Sequence, residues 1–380
     1  MIKVGTDFSG IGSPESALKR LGIPHDLIFA CDIDKYARKS YNAIHPNADI
    51  IYEDITTRDF DEVPQLDLYI AGFPCQSFSI AGKKEGFNDV RGTLFYNVAE
   101  FIEYNQPECF ILENVKGLLS HDKGRTFQTI IDLLSNAGGT VNGQLSLNTY
   151  DDGLGYHIYH KVLNTKDYGI PQNRERVFII GFRDYREFRF PKPIPLELRL
   201  KDILQDNPKS KYLVTKHSYL NLLKNQKFNN YKTINVNTEW VDCITARCNK
   251  LSNDNNFVEV DDKYYLSDKM IEGFTLKNGK NGIYGDLNKG GERGLVFSEK
   301  SEYINCLTAT DYKQPKQIAV ESQTKKIRRL TPLECWRLQG FTDEEFYRAE
   351  AEVSDTQLYK QAGNSITVNV IAEILKKIYL

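Results

Sequence analysis

A cysteine stands directly behind a proline in the stretch AGFPCQSFSIAGKKEGFNDVRGTLF, residues 71–95. The apolar run LDLYIAG (66–72) reads as a strand that ends just before Phe73, Pro74, Cys75 and Gln76. The Cys75 thiol therefore sits at a strand end rather than within the strand. A cysteine with an ordinary pKa near ~8.5 is only a few per cent thiolate at neutral pH, yet it is strongly nucleophilic and able to attack an electron-poor carbon. The alternative for any cysteine is a small buried hydrophobe, which is the reading for Cys31 and Cys109. The segment behind Cys75 sets it apart. Residues 76–93 carry Lys83, Lys84 and Arg91, with Gly82, Gly86 and Gly92 as hinges, a composition suited to a lid that meets phosphates.

Other reactive side chains fall at similar places. In LENVKG, Glu113 and Asn114 end another apolar strand, where a carboxyl beside apolar neighbours is able to donate a proton. The alternative for Glu113 is a structural ion pair with Arg174 or Arg176. Those two arginines stand two residues apart in PQNRERVFIIGF, so at a strand start they would share a face and orient a carbonyl or carboxylate. The first apolar run leads into DFSGIGSPES, a glycine-bearing turn opening a helix whose free N–H groups suit an anion. Asp32 ends the second strand and Asp54 follows the third, an arrangement that suits nucleoside hydroxyl and amino groups. Taken singly, each aspartate reads as a cap or surface carboxylate; the three strand ends together favour a nucleoside cofactor.

These residues need a frame that brings strand ends together. From residue 1 to about 183, short β-branched or aromatic runs alternate with helical patterns, as in an α/β fold with a parallel sheet. Strands are expected at 2–8, 27–32, 48–53, 66–72, 108–114, 157–163 and 176–182. A helix is expected with Ser13 as N-cap, Pro14 at its first position and Gly22 at its end. Ligands of such sheets gather at the carboxyl ends of the strands, near the point where strand order reverses. Residues 186–325 differ, being rich in Asn, Lys, Tyr and Gly with weak periodicity, and read as a loop-rich second domain. Order returns after 327, with a helix from Pro332 and a closing amphipathic helix whose Ile371, Ile374, Leu375 and Ile378 form one face.

Composition narrows the class. The 380 residues are 41% hydrophobic and 26% charged, and no apolar run reaches the ~20 residues that span a bilayer. The expectation is a cytoplasmic protein of two domains without a signal peptide. Seven cysteines without a C-x-x-C pair fit neither a disulfide framework nor a zinc site, so no metal is expected. The net charge of −2 hides an asymmetry: residues 181–330 hold 27 Lys+Arg against 19 Asp+Glu, whereas the remainder holds 22 against 32. A basic middle segment suits a polyanion, and equally suits a solvated lysine-rich surface.

Taken in order, DFSGIGS, DID (32–34), EDI (53–55), GFPCQSFS, RGTLF, ENV, QNRER, RRLTPLECWRLQGF and QAGNS resemble the prokaryotic-type DNA (cytosine-5)-methyltransferase family. The resemblance covers the chain outside 186–325. It implies a Rossmann-like S-adenosylmethionine-dependent methyltransferase sheet, formed by 1–185 plus 358–380, and a target recognition domain at 186–357. It implies that Phe8, Gly10, Gly12, Asp32, Asp54 and Asn364 hold S-adenosylmethionine. Phe8 would stack on adenine, Asp32 would take the ribose hydroxyls and Asp54 the adenine amino group, with Ile11, Ile33, Ile55, Pro74 and Ser365 beside them.

By the same resemblance Cys75 attacks C6 of a flipped cytosine in double-stranded DNA, with Pro74 and Gln76 beside it. Glu113 serves N3, Arg176 holds O2 and Arg174 supports the site. Ser79, Lys83, Arg91, Arg247 and Thr308 are the DNA-contacting expectations, the last two from the TAR and TAT stretches, for which plain hairpin turns are the alternative. A monomer acting in a restriction-modification system beside a cognate nuclease, or in a phage, completes the expectation. A tRNA cytosine methyltransferase, a catalytically silent DNA-binding relative and a Rossmann oxidoreductase are the alternatives. Asp32 and Ile33 depart from the family's usual glutamate and aromatic residue, and Ser9 and Ser13 from its usual small residue and glycine.

Overall fold

The computed structural model describes residues 1–48, 50–74, 94–135, 138–145, 153–206, 208–209, 212, 232–233, 241–242, 256–258, 317–318 and 328–380. The chain divides into two compact units: 1–164, 175–193 and 368–380 form the first, and 165–174 with 194–367 the second.

The first unit is built on a nine-stranded sheet. Its strands are β1 (Ile2–Asp7), β2 (His25–Cys31), β3 (Ile50–Tyr52), β4 (Leu68–Ala71), β5 (Cys109–Val115), β6 (Thr140–Val141), β7 (Gln144–Leu145), β8 (His157–Asn164) and, after β9 (Gln172–Asn173) of the second unit, β10 (Glu175–Phe182). The order is β3-β2-β1-β4-β5-β10-β8-β6-β7. The first five strands are parallel, and β10 runs antiparallel between β5 and β8. The order reverses between β1 and β4, and the carboxyl ends of β1, β2, β4 and β5 carry Phe8, Asp32, Pro74 and Glu113. That is where doubly wound sheets bind their ligands. Every residue of β4 is buried, as is Cys109–Asn114 of β5. Covered on both faces, such strands read as continuous apolar runs rather than alternating ones.

Helices α1 (Ser13–Leu21), α2 (Lys35–Ile44), α3 (Leu94–Asn105) and α4 (Arg125–Ser135) accompany the sheet. Phe95, Phe101 and Ile102 of α3 and Ile130 and Leu134 of α4 share one core with Phe29, Tyr69, Phe110 and Ile179 of the strands. Contrary to expectation, Ser13 lies inside α1, and Gly12 is its N-cap with φ 80 and no capping side chain. The helical hydrogen bonds begin one residue early, the Gly12 carbonyl accepting from Ser16 N (3.0 Å), and a Cβ at that position would lie 2.2 Å from His45 Nε2. Gly22 ends α1 as expected, donating to Lys19 O (3.1 Å) while Ile23 N donates to Leu18 O (3.2 Å).

Among the described residues of the second unit, the α-helices are α5 (Leu200–Ile203), α6 (Pro332–Arg337), α7 (Asp343–Glu350) and α8 (Asp355–Asn364). Thr331 and Thr342 close capping boxes on α6 and α7 with Glu334 and Glu345. Trp336 is buried against Phe341 and Phe346 and donates to Leu358 O (2.9 Å). Short strands β11 (Lys232–Thr233), β13 (Asn256–Val258), β15 (Arg328–Arg329) and β14 (Gln317–Ile318) pair in that order, while β12 (Val241–Asp242) pairs with β9. The closing helix α9 (Val368–Tyr379) returns to the first unit and packs on α1, with Ile371, Ile374, Leu375 and Ile378 buried as expected. Arg20 of α1 donates to Asn369 Oδ1 of α9 (2.6 Å).

Candidate active site

At the end of β1 the backbone turns sharply through Phe8, whose φ of 54 is unusual for an aromatic residue. Ser9 holds the turn against β2. Its N–H donates to Cys31 O (3.0 Å), and its hydroxyl accepts from Cys31 N (2.9 Å) while donating to Thr6 O (2.8 Å). The Asp32 carboxylate spans the same gap, Oδ2 accepting from Gly10 N (2.9 Å) and Oδ1 from Asp34 N (2.8 Å). A partly buried carboxylate is an acceptor of the kind that pairs with hydroxyl donors. Asp54 forms a tight turn in which Oδ1 accepts from Thr56 N (2.9 Å) and the Thr56 hydroxyl (2.8 Å). Ile11 and Ile55 are buried, whereas Ile33 is 77% exposed.

This arrangement fits S-adenosylmethionine on its own chemistry. The α1 N-terminus lacks a side-chain cap and offers its N–H groups to a carboxylate. Phe8 and exposed Ile33 provide apolar surface for a purine, and Asp32 and Asp54 provide acceptors.

Beneath this turn lies a cluster that the sequence reading missed. The Arg58 guanidinium donates to both oxygens of Asp7 (2.6 and 2.9 Å), and both side chains are 0% exposed. The Tyr69 hydroxyl donates to Asp7 Oδ2 (2.6 Å). Arg58 also lies over the rings of Phe29 (4.3 Å) and Phe101 (4.2 Å). Burial and the Asp7 charge push the Tyr69 phenol well above its ordinary value, so it remains a hydrogen-bond donor. Asp7 is followed at once by Phe8, and Arg58 closely follows Asp54. Only the pairing across 51 residues would have exposed the cluster, and no local pattern encodes it.

At the β4 and β5 ends, Asn114 donates from Nδ2 to Phe73 O (2.9 Å) and accepts from Val115 N (2.8 Å), tying the chain before Pro74 to β5. Glu113 Oε1 lies 3.1 Å from Arg176 Nε, with side-chain exposures of 10% and 11%. Register explains the pair: Arg176 is opposite Val115 across β5 and β10, so Glu113 is its diagonal neighbour on the same face. Burial lowers the Arg176 pKa from its ordinary value, and the Glu113 charge opposes that shift. One step further along, Lys116 Nζ lies 2.9 Å from both oxygens of Glu175.

Arg174 serves a different partner from Arg176. In the second unit it donates to Ser365 O (2.7 Å) and Gly363 O (3.3 Å), and so holds the QAGNS segment at the end of α8. The common face expected for the two arginines is not how their guanidinium groups are used, because Arg174 precedes β10 and Arg176 lies within it. Asn364 is exposed and Ser365 is buried.

Cys75, Gln76, Ser79, Lys83, Arg91, Arg247 and Thr308 lie outside the described residues, as does the whole of the expected lid. Among the described residues no group of three His, Cys, Asp or Glu is placed to hold a metal ion, and no helix is long and apolar enough to cross a membrane. Cys31 and Cys109 are buried as expected, and burial pushes both thiols far up. A cavity of about 320 Å³ lined by Glu108, Phe182, Tyr185 and Tyr379 touches none of the expected site residues.

Comparison with known proteins identifies the family. The family model described as C-5 cytosine-specific DNA methylase matches residues 3–380. The type II methyltransferase M.NlaX of Neisseria lactamica is 34% identical over 378 residues, covering 99% of this chain and 96% of that protein. The type II methyltransferase M.SsoII of Shigella sonnei is 35% identical over 376 residues, covering 98% and 78%. The crystal structure of the S. pombe Dnmt2 methyltransferase aligns over 100% of both chains with a TM-score of 0.65 at 18% identity, a likeness of fold. The family uses S-adenosylmethionine, and its fold is the Rossmann-like sheet that the strand order displays. The chain belongs to the C-5 cytosine-specific DNA methylase family and is a DNA (cytosine-5)-methyltransferase.

Proposed function

We propose that the protein methylates C5 of a flipped-out cytosine at a specific site in double-stranded DNA, through a covalent bond between Cys75 and C6. The observation that carries this reading is the buried Glu113–Arg176 pair at the carboxyl edge of the sheet, beside the Phe73 carbonyl that Asn114 holds. A carboxyl group and a guanidinium so joined match the N3 and O2 edge of cytosine.

In this scheme Phe8, Gly10, Gly12, Asp32, Asp54 and Asn364 hold S-adenosylmethionine, which when bound supplies an electrophilic methyl group. Cytosine is a poor electrophile, and its reacting carbons are out of reach inside a duplex, so the base leaves the stack first. The Cys75 thiolate adds to C6 while Glu113 shares a proton with N3 and Arg176 holds O2, which loads C5 with electron density. After methylation, loss of the C5 proton lets the electron pair expel Cys75 and restores the aromatic ring. Arg174 supports the site. Residues 76–93 act as the lid, and 186–357 as the target recognition domain inserted between the catalytic parts 1–185 and 358–380. There Lys and Arg meet phosphates while side chains such as Arg247 and Thr308 read base edges. The protein works as a cytoplasmic monomer in host-DNA protection beside a cognate nuclease, or in an equivalent phage-borne role; the type II methyltransferase names of its relatives support the pairing with a nuclease.

The test uses radiolabelled S-adenosylmethionine with duplex DNA or tRNA, and trapping on a duplex containing 5-fluorocytosine. Duplex labelling together with a trapped adduct that Cys75→Ser abolishes is expected. Labelling of tRNA alone, or a normal methylation rate in the Cys75→Ser protein, would overturn the reading.

A further inference from the structure

We propose that Arg58, Asp7 and Tyr69 form a clamp that positions the cofactor turn, setting the geometry in which Phe8, Asp32 and Asp54 meet S-adenosylmethionine. The inference rests on the cofactor site proposed above. Three chain segments converge on one carboxylate: Asp7 ends β1, Arg58 follows the turn that Thr57 N closes on Asp54 O (3.3 Å), and Tyr69 comes from β4. In the sheet, β2 lies between β1 and β3. Arg58 therefore crosses over Phe29 of β2 to reach Asp7, and makes two hydrogen bonds there.

Stability alone is a weak account of such a pair. Both charges are fully removed from water, and apolar side chains of similar volume commonly fill such a space at equal or better stability. A two-pronged guanidinium does something that an apolar contact does not: it fixes the distance and the relative orientation of the backbones it joins. Here those backbones are the Phe8 turn and the Asp54 turn. Each carries cofactor-binding residues, and neither is linked to the other by a strand pair, since β1 and β3 are not neighbours. Tyr69 supplies the third donor and fixes the rotation of the carboxylate.

The test compares Arg58→Lys, which keeps the charge and loses the two-pronged bond, with Tyr69→Phe, which removes one donor. Calorimetric titration of the cofactor-free protein with S-adenosylmethionine reads the affinity, and hydrogen exchange reads residues 8–12 and 54–57. Both variants are expected to raise the Kd for S-adenosylmethionine about tenfold while the Kd for duplex DNA changes less than about twofold. Exchange in both turns should quicken. Unchanged cofactor affinity in both folded variants would overturn the clamp, as would parallel losses of cofactor affinity, DNA affinity and unfolding midpoint. Asp32→Ala separates the two levels. If it binds S-adenosylmethionine like the parent protein, the cofactor site itself is misassigned and the clamp falls with it. If Asp32→Ala loses binding while Arg58→Lys and Tyr69→Phe keep it, the clamp alone is wrong.

Discussion

Gly12→Ala puts a single methyl group into the tightest part of the turn between β1 and α1. Two costs add. With φ 80 the residue is in the left-handed region, which costs an L-residue about 1–2 kcal/mol. The new Cβ would also lie 2.2 Å from His45 Nε2, 2.3 Å from Cδ2 and 3.2 Å from Tyr41 Cε2. His45 is buried, and its ring packs on Tyr41 with centroids 5.0 Å apart, so the imidazole has to move within an occupied interior. Overpacking of this kind costs about 1–3 kcal/mol, for a total of about 2–5 kcal/mol. Gly22→Ala is the internal reference. It has φ 65 at the other end of the same helix, but nothing lies within 4 Å of its Cβ position, so it bears the backbone cost alone. Urea unfolding followed by circular dichroism should show Gly12→Ala less stable than Gly22→Ala by about 1–3 kcal/mol. Equal losses in the two variants would refute the steric argument and the placement of His45 against the turn.

Glu113→Gln should lower the single-turnover methylation rate by about 100-fold or more, the usual worth of a positioned acid, while duplex DNA still binds. A rate within tenfold of the parent (about 1.4 kcal/mol) would remove Glu113 from the chemistry. In the second unit, hydrogen bonds from Arg337 hold the Asp343 carboxyl below the usual carboxylate range. The folded pKa is the lower one, so this pair stabilises above about pH 4, the unfolded value, and its contribution fades as pH falls through the folded value. Asp343→Asn should therefore flatten the acid limb of the curve of unfolding midpoint against pH; an unchanged limb would contradict the assignment.

What could be read before any coordinates follows from the range over which each feature is encoded. The runs LDLYIAG and ECFILEN revealed β4 and β5 because strands covered on both faces need uninterrupted apolar residues. Gly22 and Pro332 were visible as helix boundaries because a C-terminal glycine and a first-turn proline act within a few residues. The position of the α1 cap was not: Ser13 has the better capping side chain, but His45, distant in the chain, leaves room only for glycine at position 12. Glu113 and Arg176 were both named from their motifs. An ion pair of Glu113 with Arg174 or Arg176 was the alternative the sequence offered, and the choice of Arg176 needed the antiparallel register of β5 and β10, which the sequence does not state. Arg174 looked equivalent to Arg176 by spacing, yet its hydrogen bonds go to carbonyls some 190 positions later. Arg58 carried no local signal at all, since its role depends on a sheet order that brings Asp7 and Tyr69 under it.

The return of α9 to the first unit has a consequence for synthesis. A nascent chain that has passed residue 367 has already made every strand of the nine-stranded sheet, but not the helix whose Ile371, Ile374 and Leu375 become buried. Until Val368–Tyr379 leave the ribosome, α1 lacks its neighbour, and the turn that precedes α1 has an unsupported helix behind it. The order of translation thus delays completion of the first unit until the intervening 194–367 portion has been made.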